Sequence, residues 1–252
     1  MNVDALLACR VTGSRLHGKP VQNLTPDGPM IIESLVSYLK EVKSIRKIAL
    51  CIAEGNENLV FQNIAEDMGL PYMFGPEDDV LKRLIKAGDF FDRDVVFRIT
   101  SEGPFVLHSY ADELIEDFIN GEYDWGTLDQ SPEGTGYELI KLDALKKSHI
   151  NGTERNKSEL VTSYICENQQ GFKMLFKEID SSLQRPEVRL TVDYAEDLIF
   201  CQKVYKELKE PGKLIKIEDI INFWDNNPEA RKPLENIGID WGTGRLDFKD
   251  GG

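Results

Sequence analysis

The sequence is short of the residues that most often hold metals or crosslink chains. Its four cysteines, Cys9, Cys51, Cys166 and Cys201, are scattered over 252 residues without a CxxC pair. Three of them sit inside apolar runs, which reads as buried free thiols rather than disulfides or a zinc site. The three histidines, His17, His108 and His149, are equally far apart, which argues against a histidine-rich metal centre. No apolar run approaches the length of a bilayer span, and no basic stretch with a small-residue cleavage site opens the chain. A soluble, cytoplasmic protein with no membrane contact is expected. Positive charge is scarce as well: 30 Lys and Arg stand against 44 Asp and Glu, a formal net charge of −14. Such a surface repels phosphate backbones and disfavours nucleic acid as a partner.

What the sequence does have is one concentration of cations close to its start. The apolar residues Val3, Ala5, Leu6, Leu7 and Ala8 suit a buried strand, and they stop at a loop holding Arg10, Gly13, Ser14, Arg15, Gly18 and Lys19. Beyond a strand end of an open α/β sheet, small residues let the backbone approach phosphate oxygens while Arg and Lys neutralise them. The loop reads as a triphosphate cradle, with an exposed basic loop that binds nothing as the alternative.

Beyond the cradle, apolar spacing and turn signals predict helices over residues 30–39, 57–68, 79–90 and 109–119, alternating with strands over 45–53, 71–74 and 94–99. That rhythm is the signature of a mostly parallel sheet sandwiched by helices. From about 123 to 189 the rhythm breaks, with a strand expected over 137–140 and a helix over 158–168. This excursion covers the site, builds a subunit contact or decorates the surface. The βα pattern resumes over 188–208, with Asp193 at a strand end. With no composition break, 1–210 reads as one domain, followed by a helix over 217–224 and a tail within 211–252 that Trp241 and Phe248 can tether. The last few residues are expected to be poorly ordered.

Acids gather at three places. Glu102 follows the fourth strand in FRITSEGP, either at the sheet edge that carries the cradle or as a solvated loop glutamate. Asp193 and Asp197 lie in VRLTVDYAEDL; a helix cap is the competing role for Asp193, and Asp197 suits the first helical turn. Glu77, Asp78 and Asp79 precede a helical run and read as its N-terminal acids rather than as a metal site. Arg98 either lines the pocket or pairs with an internal carboxylate.

Several motifs together resemble the cytidylyltransferases that activate acidic sugars, above all their spore coat polysaccharide branch. The stretch ACRVTGSRLHGK is similar to A-R-x-x-S-x-R-L-P-G-K, with His17 for proline and an extra Cys9. GPEDDVLKR resembles G-x-E-D-D-V-L-x-R; SEGP resembles D-x-P, with Glu102 for aspartate; and RLTVDYAEDL resembles R-W-T-V-D-x-x-x-D-L. In the excursion, SPEGTGYELI resembles P-D-G-L-D-V-E-V-F, with Glu133 and Gly136 for its aspartates, and KSELVTSYI resembles E-R-E-H-V-T-P-Y-I, with Leu160 for histidine.

The resemblance implies a nucleotide-diphospho-sugar transferase-like, Rossmann-like fold, a homodimer, and transfer of CMP from CTP to an acidic sugar for a surface glycan. It implies that Arg10, Arg15 and Lys19 act on the β and γ phosphates, that Ala8, Gly13, Ser14, Ala53, Arg83 and Thr100 line the nucleotide, and that Glu138, Glu159 and Thr162 face the acceptor. Glu102 and Asp193 would hold Mg²⁺. Three alternatives remain: a sugar phosphate or phosphonate acceptor, a nucleotide-binding relative that has lost catalysis, and a glycosyltransferase, against which a triphosphate cradle counts.

Overall fold

A computed structural model describes residues 1–13, 15–158, 160–235 and 237. Among them seven strands form one sheet: β1 (Val3–Cys9), β2 (Ile48–Ala53), β3 (Tyr72–Gly75), β4 (Val95–Arg98), β5 (Trp125–Leu128), β6 (Glu138–Lys141) and β7 (Met174–Lys177). Their order is β3-β2-β1-β4-β6-β5-β7. The first four are parallel, β6 runs antiparallel to both β4 and β5, and β5 is parallel to β7. Successive connections lead from β1 outward to β2 and β3, then back across β1 to β4. The crevice beyond the ends of β1 and β4 is therefore the topological switch point, where open α/β sheets place their ligands.

The helices are α1 (Ile31–Leu39), α2 (Leu59–Met68), α3 (Val80–Phe90), α4 (Ala111–Asn120), α5 (Leu142–Asn151), α6 (Ser163–Glu167), α7 (Ala195–Leu208), α8 (Ile217–Asn226) and α9 (Pro228–Glu235). Alternation along β1 divides the core. Ala5, Leu7 and Cys9 face a cluster supplied by α1, α2, α4, α7 and α8, while Leu6 faces a second cluster supplied mainly by α3 and α5. Strands covered on both faces need continuous apolar sequence, and all six residues of β2, IALCIA, are buried. Cys9, Cys51 and Cys201 are buried free thiols and Cys166 is half-buried. Among the described residues no helix is long and apolar enough to cross a membrane.

Several expected elements shift. The helix expected over 158–168 is only the short α6, because a 3-10 turn, Glu154–Lys157, precedes it and is closed by Asn156, which accepts from the Thr153 N–H at 2.8 Å. Asp193 does not end a strand. The segment before it joins the rest of the structure through a single bridge, Glu133 to Arg189, and through the Val192 N–H, which donates to the Glu102 carbonyl at 3.0 Å. Residues 123–189 contribute β5, β6 and β7 to the main sheet, and α5, absent from the expectation, packs on α3. Part of the expected tail folds as α9, anchored by buried Ala230 and Leu234. Trp241 and Phe248 lie outside the described residues.

Candidate active site

All four parallel strands point their C-terminal ends at one edge, and the loop after β1 is shaped there by its own backbone. Gly18 takes a left-handed φ of 61° and its N–H donates to the Val11 carbonyl at 2.9 Å, turning the chain into the short 3-10 turn Lys19–Val21. From the 3-10 turn that follows β2, Asn58 accepts from the Val11 N–H at 2.8 Å. That turn sends the Lys19 side chain inward: the residue is 6% exposed.

There it meets two acids from distant parts of the chain. Lys19 Nζ lies 2.7 Å from Asp193 Oδ1 and 3.1 Å from Glu102 Oε2. Arg15, half-exposed, contacts the same Asp193 Oδ1 at 2.9 Å and lies over the Tyr194 ring. The other Asp193 oxygen accepts from Arg189 at 3.0 Å. Burial pushes the Asp193 carboxyl up, but the Lys19 hydrogen bond and the charges of Lys19, Arg15 and Arg189 outweigh it and hold the carboxyl below its usual value.

Arg189 escaped the sequence reading. It is buried, pairs with Asp197 through Nε at 2.8 Å and Nη2 at 3.0 Å, and reaches Glu133 through Nη1. Asp197 in turn accepts the N–H groups of Asp193 and Tyr194, both at 2.9 Å. Asp197, not Asp193, therefore caps α7. The signal was present in the sequence: a lone cation inside the apolar alternation VRLTV, four and eight residues before two acids.

Two glycines hold Glu102 against this network. A Cβ on Gly103 would sit 2.4 Å from the Gly134 carbonyl oxygen, and Gly134, with φ +87°, passes so close to Thr191 that a Cβ there would lie 2.5 Å from its nitrogen. The loop after β4, the 131–136 turn and the segment leading to Asp193 thus pack backbone to backbone.

Of the expected nucleotide residues, Ala8, Gly13, Ala53, Arg83 and Thr100 share this edge. Ala8 accepts from Ser101 Oγ at 3.0 Å, Ala53 pairs in register with Gly75, Thr100 is exposed, and Gly13 crosses close to the Leu16 carbonyl. Arg10 lies close enough to Arg83 for their charges to interact. Arg83 is 1% exposed and lies over Gly75, and its Nε and Nη1 find no hydrogen-bond acceptor among the described residues. Two unpaired buried guanidinium nitrogens are costly, on the order of 1–3 kcal/mol or more. Asp79 caps α3 by accepting the Lys82 N–H at 2.8 Å, as expected of that acidic group, whereas Glu77 accepts from Thr12 in the cradle.

On the expected acceptor side, Glu138 is already engaged. It accepts from Arg98 at 2.7 Å, Trp125 Nε1 at 3.0 Å and Thr162 Oγ1 at 2.8 Å. Glu138 therefore positions Arg98 and Thr162, and nothing in the local sequence announced the Trp125 contact. Ser14 and Glu159 lie outside the described residues.

Glu102 and Asp193 fit a hard divalent cation, since two carboxylate oxygens converge on one point and an ammonium already stands there. Among the described residues no group of three or more His, Cys, Asp or Glu gathers as a metal site. An ion held here would complete its shell with phosphate and water, which is how Mg²⁺ is commonly bound.

A family model described as cytidylyltransferase matches residues 5–220. The uncharacterized protein MJ1063 of Methanocaldococcus jannaschii is 29% identical over 239 residues, covering 94% of this chain and 96% of its own. The spore coat polysaccharide biosynthesis protein SpsF of Bacillus subtilis is 23% identical over 235 residues, 91% of this chain and 97% of its own. A solved structure of a cytidylyltransferase from Leptospira borgpetersenii serovar Hardjo-bovis superposes with a TM-score of 0.82 at 22% identity, over 91% of this chain and 96% of that one.

Proposed function

Because the chain belongs to the cytidylyltransferase family, we propose that it transfers CMP from CTP to an acidic sugar, releasing pyrophosphate, in the cytoplasmic assembly of a surface polysaccharide. The observation that carries the reading is the meeting of Lys19 with Glu102 and with Asp193, the latter 174 positions away, at the switch point of the sheet. The name of the similar SpsF supports the polysaccharide destination.

The acceptor hydroxyl attacks the α-phosphorus in line. A new O–P bond forms, the bond to the bridging β-oxygen breaks, pyrophosphate leaves with that electron pair, and the hydroxyl proton passes to solvent. Such a transition state needs alignment and charge neutralisation more than a strong base. Arg10, Arg15 and Lys19 hold the β and γ phosphates, with Gly13 and Ser14 letting the backbone approach. Arg83, whose Nε and Nη1 lack acceptors among the described residues, finds them on the nucleotide, beside Ala8, Ala53 and Thr100. Glu102 and Asp193 hold Mg²⁺, which supplies charge neutralisation at the α-phosphate when bound. Glu138 fixes Thr162 and Arg98 on the acceptor side, and Glu159 is assigned to the acceptor as well. The working unit is a homodimer.

Pyrophosphate release tests the reading. With CTP, Mg²⁺ and a panel of acidic sugars, turnover is expected and Asp193→Ala abolishes it. Turnover only with sugar phosphates or phosphonates would replace the acceptor, and none with any nucleotide would overturn catalysis. Light scattering tests the dimer.

A further inference from the structure

Lys19 is badly placed for a residue whose sole task is to wait for phosphate. Its ammonium is turned in from solvent and lies between Glu102 and Asp193, touching both. These are the two acids assigned above to the divalent ion, so ammonium and ion require the same space. Arg15 and Arg189 also contact Asp193, which adds to the positive charge an arriving ion would meet.

We infer that Lys19 is a built-in competitor of the metal, and that the ion enters the Glu102–Asp193 pair only when a bound triphosphate draws Lys19 away. The inference rests on the cytidylyltransferase reading given above. A lysine ammonium is a compact charge on a flexible stem, able to pass from two carboxylates to a phosphate by rotation of its own side chain. A triphosphate offers it denser negative charge and offers Arg15 the same. Their departure takes the ammonium and one guanidinium from the space between the two carboxylates while Arg189 stays on the other oxygen of Asp193, an arrangement that favours a divalent cation. Because binding free energies are linked, triphosphate tightens metal binding by the same factor by which metal tightens triphosphate binding, typically about 5- to 150-fold. Nucleotide and ion are thereby loaded together, and the empty enzyme stays metal-free.

The probe is Mn²⁺ alone, with no nucleotide, followed by the electron paramagnetic resonance signal of the free aquo ion. Wild type is expected to take up no more Mn²⁺ than Asp193→Asn. Lys19→Met is expected to gain a site at least about tenfold tighter than anything in wild type, a factor inside the linkage range above, and Lys19→Met/Asp193→Asn is expected to lose it. A wild-type site for Mn²⁺ that Asp193→Asn removes would overturn the inference even if Lys19→Met did not fold. A cooperatively melting Lys19→Met that gains no site would overturn it too. Pyrophosphate release from CTP by wild type is measured alongside. Turnover with failed Mn²⁺ arms refutes the competition alone, whereas a gained site without turnover supports the exchange and refutes the activity.

Discussion

Replacing Arg189 with leucine removes a guanidinium that is 3% exposed and reaches Asp193, Asp197 and Glu133. Asp197 is left 1% exposed with its two backbone donors but without a counter-charge. Stripping one partner from a buried ion pair costs about 3–5 kcal/mol, because the stranded charge remains out of water. Domains are stable by roughly 5–15 kcal/mol, so urea melts of Arg189→Leu are expected to show about a fifth or more of the stability gone. The double variant Arg189→Leu/Asp197→Asn separates this cause from lost packing. Asparagine keeps an acceptor for the Asp193 and Tyr194 N–H groups and removes the stranded charge. The pair is therefore expected to lose less than the sum of the single losses, by about 0.5–3 kcal/mol. A single-variant loss below about 1 kcal/mol, the scale of an exposed pair, or strict additivity in the double variant, would refute the account of Arg189 as the buried clamp of this site.

The depressed Asp193 carboxyl contributes stability that is present above the ordinary carboxylate pKa of 3.8 and is lost as pH falls through the lower folded value. Denaturant melts should accordingly show the wild-type advantage over Asp193→Asn constant near neutrality and shrinking below that pH; a difference unchanged across the window would contradict it. Gly103→Ala sets a methyl 2.4 Å from a backbone oxygen that has no side chain to yield, an overpacking cost of about 1–3 kcal/mol. Calorimetry should find the melting temperature lowered and a pyrophosphate-release assay should find kcat reduced, since Glu102 moves with its neighbour; an unaltered melting temperature would count against the close packing.

The first half of the fold was legible because parallel strands buried on both faces are continuous apolar runs, and helices between them carry a strong apolar stripe. The same logic fails at β5 and β7. WGTL and MLFK are short, and Gly126 is small there because Phe118 and Leu175 press on it, a reason that lies in other parts of the chain. α5 reads LDALKKSHIN, whose apolar face is narrow, and α9 carries Pro228, tolerated in a first helical turn, and Pro233 in its interior, both of which signal loop in a sequence. VRLTVD alternates as a strand does, yet its partners are loops, so the strand expected to end at Asp193 does not form. At the site, Lys19, Glu102 and Asp193 could each be picked out as charged residues beside strand or helix boundaries. That Lys19 and Arg15 both lie against Asp193 could not, because local sequence carries no information on which cation lies against which acid.

The reversed direction of β6 has a consequence for how such a molecule can diversify. Arg98 ends β4 opposite Glu138, which begins β6, and β5 finishes at the same rim. The connection from β5 to β6 is thus a hairpin overhang, held by its two flanking strands, by the Glu133–Arg189 clasp, and by the close backbone approach of Gly134 to Gly103 and Thr191. Lengthening that overhang on the β5 side of Gly134 leaves every parallel crossover intact, so this rim can be rewritten without rebuilding the four parallel strands beside it.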